Sequence, residues 1–242
     1  MILSQMNSML NLLQLTSPAL PLGAYSYSEG LEALVEQQII QTDLDLEHWL
    51  IQELTYGTIR LEAAVMLRIL NSIKDGHLAQ ATHWNSWLSA SRDTSELRQQ
   101  SWQMGGSLIR LLLELDPIKS VDSPSNLVDL RVDLKTCIAA IGKPCNYAVA
   151  FGIAGAYWNI NPEFAVLGYL QSWVSNLIGA GVKLIPLGQT AGQKLLSKIQ
   201  FILPEAMAHI LTLEDEDLVS CSWGLGLASM AHETQYSRLF RS

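Results

Sequence analysis

Apolar residues recur along most of this chain at three- and four-residue intervals, whereas alternating runs bounded by turn residues, the mark of half-buried strands, are nearly absent. The spacing predicts an all-α fold. Leu10 and Leu13 belong to a first helix that stops at SPALPLGAYSYSEG, where Pro18, Pro21 and Gly23 forbid continuation and set a long N-terminal loop. A helix over about 29–38 follows. Thr42 or Asp43 caps the next, whose Leu46, Leu50, Leu54, Ile59, Val65 and Ile69 hold one apolar stripe through a bend near Gly57 until Asp75 and Gly76. Leu78, Trp84 and Leu88 mark a short helix. Asp93 or Thr94 then caps a stronger one, with Leu97, Met104, Leu108, Leu111 and Leu115 on one face, stopped by Asp116 and Pro117.

KSVDSPSNLVD, residues 119–129, has the composition of a surface loop within a single domain spanning 1–242. Beyond it, Gly152, Gly155 and Ala156 are small enough to let two helices approach closely. Pro162 opens a helix whose stretch 164–182 carries no charge and matches a membrane span in length. Gln171, Ser172, Ser175 and Asn176 gather amides and hydroxyls in it, which suits a face against protein better than lipid. Two last helical patterns cover Gly188 to Leu203, with Thr190 as a local cap, and Leu218 to Glu233. The acidic EDED between them reads as a solvated face or helix start.

Composition sharpens this picture. Of 242 residues, 49% are hydrophobic and only 16% charged, below the roughly one quarter usual in soluble proteins, so much of the surface is expected to face protein. A net charge of -8 without a basic run excludes a nucleic-acid surface. Three cysteines without paired spacing, Cys137, Cys145 and Cys221, are expected to be reduced, small buried hydrophobes. The first residues run directly into helical periodicity without a charged targeting region, and a cytoplasmic location is expected.

No catalytic chemistry is legible. The histidines at 48, 77, 83, 209 and 232 lack metal-ligand spacing, and His232-Glu233 stops short of HExxH because position 236 is Tyr. Hence no metal site, stably bound cofactor or catalytic residue is expected. GQTAGQK lacks the order of a phosphate-binding loop, and no GxSxG occurs. Lys183, the sole charge between Glu163 and Lys194, ends the most apolar part of the chain; it either complements a helix C-terminus or meets a partner or ion. The final TQYSRLFRS combines Tyr236, Leu239 and Phe240 with Arg238 and Arg241, residue types found in binding hot spots. Such a tail either docks on the body or orders against a partner.

Four segments, SPALPLGAYSYSEGLE, SELRQQSWQMGGSLIRL, VKLIPLGQTAGQKLL and HETQYSRLFRS, resemble the UreF family of urease accessory proteins, in the expected order and reaching both ends of the chain. The resemblance implies an all-α, non-catalytic scaffold, usually a homodimer, that bridges the accessory protein UreD (also UreH) and the UreG GTPase. Nickel would be cargo passed on to the urease apoprotein. It also implies partner-binding roles for Tyr25, Tyr27, Tyr236, Arg238, Leu239, Phe240 and Arg241, and a link between Lys183 and control of the GTPase. Two other readings remain open on sequence alone: a membrane-associated helical protein and a helical nickel carrier.

Overall fold

Helix starts are set by local chemistry. Thr42 accepts a hydrogen bond from the Asp45 amide while the Asp45 carboxylate returns one to the Thr42 amide, opening α3 (Asp43–Tyr56). Asn161 takes the amides of Glu163 and Phe164 and, with Pro162 in the first turn, opens α9 (Pro162–Leu184). Thr94 Oγ1 accepts from the Leu97 amide at 3.2 Å and so is the cap of α6 (Ser95–Leu115). The structure, a computed structural model, describes residues 2–115 and 133–242. Among these it is all-helical: the remaining helices are α1 (Ile2–Leu15), α2 (Leu31–Glu36), α4 (Thr58–Lys74), α5 (Leu78–Ala90), α7 (Leu134–Ile141), α8 (Tyr147–Tyr157), α10 (Gln189–Gln200), α11 (Leu203–Leu211) and α12 (Trp223–Glu233). The segment 119–129, expected as a loop, lies outside the described residues.

The centre is α8 against α4, flanked by α5, α6 and α9. Every residue of α8 from Ala148 to Ala156 is buried. Its small residues have the expected consequence: a Cβ on Gly152 would lie 2.7 Å from the Met66 carbonyl and 2.9 Å from Ile69, so the two backbones meet where only glycine fits. On one flank α3, α10 and α11 close over α4 and α9; on the other, α2 and α12 pack together. The buried apolar side chains form a cluster running from Leu12 in α1 to Phe240 in the tail. No helix among the described residues is long and apolar enough to cross a membrane, because the polar residues of α9 interrupt it. Asn176 of that group faces protein, donating to the Tyr27 carbonyl at 3.3 Å, while Gln171 donates to Ser175 within α9 itself at 3.2 Å.

Several expectations are corrected. Gly57 does not bend one helix; its extended backbone separates α3 from α4. The pattern from Gly188 ends at Gln200, and Pro204 supports a fresh start in α11. Thr190 lies inside α10, whose cap position is Gly188. The last helix begins at Trp223 and not at Leu218, since Ser222 turns away to bond the Thr58 amide at 2.8 Å. In α6 the buried face ends on Leu108, Ile109 and Leu112, leaving Leu115 exposed. Cys137 and Cys145 are buried as expected, whereas Cys221 is exposed.

Candidate functional site

The loop joining α1 to α2 is held by its own turns. Ser17 Oγ accepts from the Ala19 amide, and Gly23, at φ 75°, leads into a 3-10 turn over Ala24–Ser26. Gly30, at φ 81°, starts α2 where a Cβ would stand 3.2 Å from Ala228 of α12. The loop therefore meets α12 closely. Tyr25 points outward, 72% exposed, while Tyr27 is buried and its hydroxyl bonds Gln103 of α6.

The tail lies along this loop. Leu239 and Phe240 donate their amides to the two carboxylate oxygens of Glu32, at 2.6 and 2.9 Å. The Arg241 amide donates to the Ser26 carbonyl at 2.9 Å, and the Ser28 amide to the Ser242 carbonyl at 2.6 Å. Arg238 forks between the Glu96 carboxylate, at 2.7 Å, and the Glu233 carbonyl. Phe240, 5% exposed, is driven into the body, where the Lys183 ammonium sits 5.3 Å from its ring centroid. Burying such a ring is worth roughly 2 kcal/mol, enough to hold a short segment in place.

Of the residues singled out from sequence, Lys183 and Phe240 are thus brought together, and Tyr27 is buried against α6 and α9. Tyr25, Tyr236, Leu239 and Arg241 stay exposed, Tyr236 completely and Leu239 at 63%. Next to the tail, Trp223, Leu227 and Met230 form an exposed stripe on α12, 79%, 66% and 50% accessible. Sequence reasoning missed this stripe, although the i, i+4, i+7 spacing was visible; what decides it is that Leu225 and Ala228 face inward instead.

Beneath the loop lies a cavity of about 240 Å³ between α1, α6, α8 and α9, with Leu15, Leu22, Glu29, Arg92, Tyr169 and Lys183 in its walls. Its polar side is a connected network. Glu62 pairs with Arg92 and accepts from Tyr169 Oη at 2.7 Å. Glu29 accepts from Trp173 Nε1 at 2.8 Å and Gln100 Nε2 at 3.0 Å. Burial, reinforced by the neighbouring Glu62 charge, pushes the Glu29 carboxyl up to about 7. Ser242 Oγ donates to Gln100 Oε1 at 2.6 Å, so Gln100 connects the tail to the cavity carboxylate. Nearby, burial and the Glu29 charge also raise Glu53 to about 7.

This arrangement ties its polar groups to one another and seats the tail. Among the described residues no group of three or more His, Cys, Asp or Glu could hold a metal ion. Burial pushes the Cys145 thiol up to about 12, far from a reactive thiolate.

The family model named UreF matches residues 40–200. The chain is 54% identical to the urease accessory protein UreF of Nostoc sp. over 233 residues, covering 96% of this chain and 95% of that one. It is 53% identical to the protein of the same name in Microcystis aeruginosa, covering 97% of each, and 37% identical to that of Chromohalobacter salexigens, covering 96% and 93%. The chain belongs to the UreF family.

Proposed function

We propose that this chain serves urease maturation as a non-catalytic scaffold in the cytoplasm, working as a homodimer that bridges UreD (UreH) and the UreG GTPase. Its relatives are named urease accessory proteins, which supports the maturation role. The observation that carries the scaffold reading is the seated tail: Phe240 anchors it inside while Tyr236 and Leu239 are held outside, as is Tyr25 on the loop to which the tail bonds. Apolar side chains presented by a fixed backbone have already lost the freedom that binding would otherwise remove.

In this reading the docked tail and the tyrosine loop form one surface. A partner that contacts the tail favours the docked state, the docked state receives the GTPase, and nucleotide hydrolysis releases nickel towards the urease apoprotein. Arg238 and Arg241 set orientation, and Lys183, under Phe240, couples the tail to α9. Nickel is cargo, so calorimetry on the isolated chain is expected to register weak binding or none.

Truncation after Gln235 tests the proposal. The shortened chain should keep its helicity yet fail to recruit the GTPase in size-exclusion chromatography with UreD; full assembly without the tail would overturn it.

A further inference from the structure

His232 is fully buried, yet both of its ring nitrogens face carboxylates. Nδ1 lies 2.8 Å from Glu96 Oε2, and Nε2 lies 3.3 Å from Glu32 Oε2. A neutral imidazole carries a single N–H, so it can satisfy one of these contacts and must turn a lone pair on the other. Glu32 is already an acceptor for the Leu239 and Phe240 amides, and Glu96 for Arg238. An imidazolium, with an N–H on each nitrogen, is the form of the ring that satisfies both contacts.

These two carboxylates are the same groups that grip the tail. From the three elements around His232 the charged groups are Glu32 of α2, Glu96 of α6 and Arg238 of the tail, and on α12 itself Glu233, whose Oε1 takes the Ser95 hydroxyl at 2.8 Å. With the ring protonated the cluster of ring, Glu32, Glu96 and Arg238 is neutral. Without that proton it holds one uncompensated negative charge at a buried position and a lone pair against an oxygen.

We infer that His232 is a proton-dependent latch for the tail: the protonated ring braces Glu32 and Glu96 in the positions that bind Leu239, Phe240 and Arg238, and its deprotonation releases them. The sign follows from linkage. A latch that holds only with both ring nitrogens protonated favours the docked state at lower pH and weakens it as pH rises. One proton linked to docking changes the ratio of docked to free tail by up to about tenfold per pH unit. Its consequence for assembly rests on the scaffold reading above, but the latch itself needs no partner.

The test uses the full chain alone, by NMR from pH 5 to 8.5. Both ring nitrogens of His232 should be protonated while the Leu239 and Phe240 amides hold their docked shifts. Ring and amides should then change together with one midpoint. In His232→Gln, which keeps one donor and no ionisation, that midpoint should vanish from the amides while helicity is retained. If His232→Gln fails to fold, Glu96→Gln, on the less deeply buried side, should shift the midpoint in its place. A ring with one protonated nitrogen throughout the docked range, or an amide midpoint that survives in His232→Gln, overturns the latch. Loss of GTPase recruitment by an otherwise pH-responsive chain would instead bear on the scaffold reading.

Discussion

Lys183 at the end of α9 rests against the Phe240 ring, 5.3 Å from its centroid, so the one cation of that helix is spent on the tail's buried anchor. The same ammonium complements the C-terminal end of the helix. Lys183→Ala is expected to weaken tail docking by about 1 kcal/mol, the size of a partly desolvated cation–π contact. Limited proteolysis within 234–242 would read this as faster cleavage with the body intact.

Phe240→Ala should have the larger effect. Removing a buried aromatic costs about 3 kcal/mol or more, but the loss is confined to docking, because the tail can detach without opening the bundle. Thermal unfolding of the body should move little while tail amides exchange freely.

Tyr236→Ala and Leu239→Ala should behave in the opposite way. Both side chains are exposed, so stability should change by no more than about 0.5 kcal/mol. If the scaffold reading holds, recruitment of the GTPase should fall at least about tenfold in a titration of the complex, since a hot-spot-type tyrosine and its apolar neighbour are removed.

The Glu53 carboxyl, raised to about 7 from an ordinary 4.5, predicts a pH effect on the fold. Between these values the folded chain keeps a proton that the unfolded chain has released, so stability should fall as pH rises from about 4.5 to 7. Glu53→Gln removes that dependence, which amounts to about 3 kcal/mol at roughly 1.4 kcal/mol per unit. Denaturant titrations at pH 5 and 7.5 should lie closer together for the variant, the remaining gap belonging to Glu29, which is also raised to about 7.

Gly152→Val probes the closest helix contact. A side chain there must displace the Met66 carbonyl and Ile69, and a loss of about 3 kcal/mol is expected in chemical denaturation.

Much of the fold was readable locally. The caps Thr42 and Thr94, Pro162 and the small face of α8 act within a few residues, and the helices follow. The helices α7 and α11 were hidden because one has only 8 residues and the other continues the apolar pattern of α10 after a break of two residues. The tail's composition announced docking, but Glu32, which receives it, is 207 residues away from Leu239. His232 read as half of a metal motif for the same reason: its carboxylates lie 200 and 136 residues off, beyond any spacing rule.

The hydrogen bond from Ser28 to Ser242 closes a loop of 214 residues, and that has a kinetic meaning. Closing so long a segment is entropically slow until the intervening helices have condensed, so the tail joins last. The joint between loop and tail is then a product of completed folding. A chain still assembling α4 against α8 has no Glu32, Glu96 and His232 in register, and the surface that they brace does not yet exist.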